Sequence, residues 1–126
     1  MALLHLDHVN LRTSQLIRLT EFYRDVLGMR VGERPNFAFD GAWLYLGERA
    51  VVHLVEVSSP PSPSGALGLE HFAFTADDFE GLTQRLDAAR VEYRVSKLAG
   101  SETRQVNLRD PDGNRVHIDF PAHLAK

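Results

Sequence analysis

The chain has 126 residues, of which 44% are hydrophobic and 25% charged, with a formal net charge of -3. That is the length of about one domain with enough apolar matter for a real core, which argues against general disorder. The basic residues are dispersed, so neither a nucleic-acid footprint nor a polybasic membrane patch is expected. Cysteine is absent, which rules out disulfides and thiolate ligands and leaves His, Asp and Glu for any metal site.

In chain order, a strand is expected at about 4–12, followed by a helix at roughly 14–27. In that helix Leu16, Leu19, Phe22, Tyr23, Val26 and Leu27 keep a 3.6-type period, with Ser14 as N-cap and Gly28 just past the end. Three short strands follow at about 29–33, 41–47 and 50–57. Ser58 to Ala66 is rich in Pro, Ser and Gly and reads as a linker. The order then repeats. A strand lies at about 69–75, and a helix capped by Asp77 or Asp78 runs to about Ala89. Further strands lie at about 92–97, 103–109 and 114–120, the last two joined by the turn Asp110-Pro111-Asp112-Gly113-Asn114.

The repetition extends to residues. Leu6-Asp7-His8-Val9-Asn10-Leu11-Arg12-Thr13 is echoed by Leu69-Glu70-His71-Phe72-Ala73-Phe74-Thr75-Ala76, 63 residues later. His53 and His117 recur at an offset of 64. The chain therefore reads as an α+β protein of two βαβββ modules, about 1–57 and 68–126, joined by a linker at 58–67.

Side chains alternate across a strand. By that rule His8 and Asn10 share a face opposite Val9 and Leu11. His53 opposes Val52 and Leu54, and His71 opposes Phe72 and Phe74. His117 and Asp119 oppose Val116, Ile118 and Phe120. Four strands thus carry a histidine on the face away from the helices, where imidazoles converging in a cleft would suit a divalent ion. A polar residue on a water-facing sheet surface is the alternative account of each one. Trp43, Gln105 and Asn107 fall on the same side, and Phe37 and Phe39 are candidates for an apolar substrate wall. Asp119 and Tyr45 are candidate acid–base groups; their alternatives are an exposed polar residue and a core aromatic. Lys97 and Arg104 are surface charges or anion contacts.

Several strings in sequence resemble the vicinal oxygen chelate superfamily of glyoxalases, bleomycin-resistance proteins and extradiol dioxygenases. They are Leu6-Asp7-His8-Val9-Asn10-Leu11, Phe22-Tyr23-Arg24-Asp25-Val26-Leu27-Gly28-Met29, Gly68-Leu69-Glu70-His71-Phe72-Ala73-Phe74 and the Asp110 to Asn114 turn. The region from Arg34-Pro35 through Trp43-Leu44 to Val52-His53-Leu54 is similar to a glyoxalase I-like subgroup. The resemblance implies two modules forming a partly open mixed β-barrel around one divalent ion (Fe, Mn, Ni or Zn), with His8, His53, His71 and His117 at the ligand positions. Glyoxalases of this family carry Glu at the positions of His53 and His117, so this chain lacks their carboxylate base. The implied activity is a metal-dependent lyase or isomerase acting on a small substrate with vicinal oxygens. The alternatives are an extradiol-type dioxygenase and a metal-free binder of drugs or other small molecules. Asn10, Phe39, Trp43, Gln105 and Asn107 are the expected substrate contacts. A cytoplasmic homodimer is expected, with neither nucleic acid nor membrane as partner.

Overall fold

The computed structural model describes residues 2, 4–62 and 67–124. Positions 63–66 of the expected linker lie outside the described residues. The chain divides into two compact units, Met1–Pro61 and Ser62–Lys126, so the division falls in the Pro/Ser stretch.

The first unit runs β1 (Val9–Thr13), α1 (Leu16–Glu21), a π-helical turn (Phe22–Val26), β2 (Arg30–Gly32), β3 (Gly41–Leu46) and β4 (Arg49–Glu56). The second runs β5 (His71–Thr75), α2 (Phe79–Ala88), β6 (Tyr93–Lys97), β7 (Arg104–Arg109) and β8 (Arg115–Phe120). A short 3-10 turn, Ala122–Leu124, follows β8. Each unit holds one four-stranded sheet, ordered β1-β4-β3-β2 and β5-β8-β7-β6. The first and last strands of each unit pair in parallel and the others antiparallel. The α+β class and the βαβββ order are therefore as expected.

Alternation decides the faces. Val116, Ile118 and Phe120 are buried, whereas His117 and Asp119 are half-buried. Val106 and Leu108 are buried between half-buried Gln105 and Asn107. In the first unit α1 packs on β3 and β4, where Leu19, Leu44, Val52 and Leu54 lose essentially all exposure. In the second, Leu82 and Leu86 of α2 are buried, and Phe79 meets Phe120 edge-on at 5.4 Å. Each such aliphatic side chain contributes about 1.5–3 kcal/mol on burial.

Three local expectations are corrected. The first strand starts at Val9, not near residue 4; Leu4 and Leu6 are 88% and 84% exposed. Its partner supplies the reason. In this parallel register Val9 faces Val52, so residues 4 and 5 would lie opposite the Gly47–Glu48 turn rather than a strand. The long helix is α1 followed by a π-helical turn, in which Leu27 N donates to Phe22 O at 3.1 Å. A 3.6-residue period cannot register such an inserted residue. Ser14 is not the cap; Gln15 is, without a side-chain cap bond. Buried Thr13 instead accepts from Gln15 N through its hydroxyl at 3.0 Å. Gly28 does end the segment, at φ 83°, a conformation that costs other residues a Cβ clash. Asp78 caps α2, accepting from Gly81 N at 3.0 Å.

Candidate metal centre

The Asp110 to Asn114 turn sets the register that places His117. Buried Asp110 accepts from Asp112 N and Asn114 N through Oδ1, and from the Asn114 amide through Oδ2, each at 2.9 Å. Gly113 takes φ 87°. Strand β8 then runs back along β7 with His117 opposite Asn107 and Asp119 opposite Gln105.

The histidines form two pairs, one per unit. In the first unit His8 stacks on His53 with ring centroids 3.8 Å apart and planes 10° from parallel. Trp43, opposite His53 across the β3–β4 ladder, stacks on the other face of His53 at 4.0 Å. In the second unit His71 stacks on His117 at 4.0 Å and 12°. The same pairing of a histidine at the first strand with one in the last thus occurs in both units. Among the described residues no group of three or more His, Asp or Glu side chains forms a metal cluster. Each unit brings two candidate ligands together.

Hydrogen bonds identify the nitrogens that are already used. Nδ1 of His8 lies 2.8 Å from Asp7 Oδ2, and Nδ1 of His71 contacts Glu70 Oε1. A carboxylate accepts, so each Nδ1 carries a hydrogen, and in the neutral form of either ring Nε2 is the nitrogen with the lone pair. His53 is the reverse: its Nε2 donates to the Ala50 carbonyl at 3.0 Å, which leaves Nδ1 as acceptor.

Burial pushes the His53 and His117 pKa values below the ordinary imidazole value, and the neighbouring His8 and His71 add to the effect. Both rings are therefore neutral at neutral pH, the form that binds metal. Hydrogen bonds from His8 and His71 hold Asp7 and Glu70 below the usual carboxylate range.

The other expected site residues are placed as follows. Asp119 lies close enough to His117 to favour its charged form, and its Oδ1 is buried with no hydrogen-bond partner among the described residues. Such an oxygen is costly to bury unless something satisfies it. Tyr45 donates its hydroxyl to the Glu33 carbonyl at 2.6 Å, under the Arg30 guanidinium at 4.6 Å. Asn10 is exposed and opposite His53 on the neighbouring strand. Asn107 donates to Arg94 O and Ser96 Oγ, both at 3.1 Å. Phe39 stacks on Phe37 at 4.8 Å, with Arg34 over both rings. Arg104 covers Phe79 at 3.8 Å and lines a cavity of about 360 Å³ beside the start of α2. Lys97, the other candidate anion contact, lines it as well, whereas none of the four histidines and none of Asn10, Phe39, Trp43, Gln105 and Asn107 does.

Asp7 and Glu70 were not singled out from the sequence as functional. Their signal was present: an acidic residue directly precedes His8 and likewise His71.

The profile of the Glyoxalase/Bleomycin resistance protein/Dioxygenase superfamily matches residues 5–118. The chain belongs to this superfamily. It is 31% identical over 123 residues to glutathione transferase FosA of Serratia marcescens, covering 96% of this chain and 84% of that one. It is 33% identical over 125 residues to biphenyl-2,3-diol 1,2-dioxygenase 3 of Rhodococcus globerulus, covering 91% of this chain and spanning 62% of that enzyme's length. The fold is that of a glyoxalase family protein from Bacillus anthracis, with a TM-score of 0.80, 19% identity and coverage of 96% and 98% of the two chains. These relatives include enzymes of different reaction types. Among the described residues no helix is long and apolar enough to cross a membrane.

The donor set suits a divalent ion. It consists of imidazoles, two of them (His53 and His117) pushed toward the neutral form, no thiols, and an orphaned buried carboxylate oxygen beside one pair.

Proposed function

We propose that this chain is a cytoplasmic, metal-dependent enzyme that acts on a small substrate through two neighbouring oxygens, by lyase or isomerase chemistry. His8, His53, His71 and His117 are its ligands to one divalent ion of Fe, Mn, Ni or Zn. The observation that carries the reading is the stacked imidazole pair recurring in both units, at 3.8 and 4.0 Å. When bound, the ion supplies Lewis-acid stabilisation of negative charge developing on the substrate oxygens. Four imidazoles leave its +2 charge unneutralised, which favours an anionic chelating substrate.

The chain's own residues supply the rest. The buried, unpartnered Oδ1 of Asp119 is an acceptor for a substrate proton, the role that a ligand glutamate would otherwise play. Trp43 and Phe39 offer aromatic surface to the substrate, while Asn10, Gln105 and Asn107 offer polar contacts. Tyr45 is the weaker acid–base candidate, because its hydroxyl already serves the Glu33 carbonyl.

A second reading, ring-cleaving dioxygenase chemistry, is favoured by the 33% identity to the Rhodococcus dioxygenase. A third, a metal-free binder of drugs or other small molecules, is opposed by the polar, imidazole-rich lining.

The test uses untagged, metal-stripped protein titrated with Ni²⁺ by calorimetry and by fluorescence. Trp43 is the only tryptophan and stacks directly on His53, so a paramagnetic ion bound there should quench its emission. Saturable binding lost in His71→Ala and His53→Ala is expected. A flat titration of the wild-type chain would reject the metal reading in favour of the binder.

A further inference from the structure

The contacts of Asp7 and Glu70 are matched in the two units by contacts from arginine. Arg49 and Arg115 open the last strand of their respective units. Arg49 Nη2 donates to the Leu6 carbonyl at 2.9 Å, gripping the segment that carries Asp7. Arg115 Nη1 lies 3.3 Å from Glu70 Oε2, while the other oxygen of Glu70 engages His71. Each unit therefore links three groups by two contacts: an arginine at the start of the last strand, a carboxylate-bearing segment, and Nδ1 of the histidine that follows the carboxylate. Surface ion pairs taken singly are worth little. The carboxylate–Nδ1 contact recurs with Asp in one unit and Glu in the other, while the arginine holds a backbone carbonyl in the first and the carboxylate itself in the second.

We propose that Asp7 and Glu70 are positioning residues that lock His8 and His71 in the Nδ1–H tautomer and present Nε2 of each ring as the metal-binding nitrogen, with Arg49 and Arg115 anchoring them. The proposal rests on the metal reading above for its purpose, but the tautomers themselves are independent of any metal. A neutral imidazole has one protonated nitrogen, and the hydrogen bond made by the other side of the ring selects which. A ring held this way presents its free nitrogen with fixed orientation and raised basicity. His53, bonded through Nε2 to a backbone carbonyl, has no such carboxylate, so the two histidines of the first unit are held by opposite nitrogens.

The test has two arms. In metal-free protein at mildly alkaline pH, long-range proton–nitrogen NMR correlations should show His8 and His71 as Nδ1–H. In Asp7→Ala and Glu70→Ala the affected ring should revert to Nε2–H. Calorimetric Ni²⁺ affinity should then fall about 10–100-fold with an unchanged apo melting temperature. The exchanges Asp7→Glu and Glu70→Asp, each installing the other unit's residue, should restore both readouts. Nε2–H rings in the wild-type protein would overturn the proposal, as would alanine variants whose affinity stays within about twofold of wild type, well inside that range. Wild-type Ni²⁺ binding in His8→Ala and His71→Ala would instead overturn the metal reading and leave the tautomer result to stand by itself.

Discussion

His53 and His117 are the residues whose surroundings most alter their chemistry. Both lie in a last strand, beside a second imidazole and partly shielded from water, and both are pushed below the ordinary value of 6.5. The sign of the consequence follows from proton linkage. The unfolded chain takes up protons on these rings as pH falls through 6.5, while the folded chain resists until lower pH. The metal-free protein should therefore lose stability as pH drops below that value, over a window ending at the lowered folded-state values. Urea midpoints measured at about pH 8 and about pH 5.5, either side of the imidazole range, check this. The double variant His53→Gln/His117→Gln should show a shallower dependence; an unchanged slope would refute the assignment. These four histidines were legible in the sequence because strand alternation and the repeat pick them out. The stacking, and the nitrogen each ring has free, were not, because both depend on side-chain torsions.

Among the elements, α2 and the segment from α1 to Gly28 show what local chemistry controls. Asp78 caps α2 through Gly81 N, and Asp78→Ala should cost about 1 kcal/mol of stability, read as a lower urea midpoint with the far-ultraviolet spectrum preserved. Gly28 holds φ 83°, and Met29 N closes the turn onto Tyr23 O at 2.9 Å. Gly28→Ala should destabilise by about 1–2 kcal/mol. A neutral Gly28→Ala variant would mean the turn can relax to negative φ, and would remove the reason given for glycine there. The expected helix boundary survived at Gly28 because backbone sterics act within a few residues. The start at Ser14 did not, because a buried neighbour, Thr13, took over the hydrogen bonding.

For the molecule as a whole, the two sheets repeat one plan, parallel at β1–β4 and β5–β8 and antiparallel elsewhere. The four proposed ligands are divided two to each unit. We predict a homodimer, read as twice the chain mass by light scattering at micromolar concentration. Mixing Ni²⁺-silent His8→Ala and His71→Ala chains would test whether ligands cross between chains. Recovery of some Ni²⁺ binding is expected if each chain supplies one unit to a shared centre; no recovery, with exchange of subunits demonstrated, would place both units of each centre in the same chain.

The sequence alone determined the repeat, the α+β order, the face on which each histidine lies and the superfamily. Those properties depend on periods of two and 3.6 residues and on short turns, all local in the chain. Tertiary structure decided where β1 begins, that an extra residue enters the first helix, and that Arg49 and Arg115 reach the segments carrying Asp7 and Glu70. Each of these is set by what a neighbouring strand or side chain offers across space, and Arg49 reaches the Leu6 carbonyl only because β1 and β4 lie side by side.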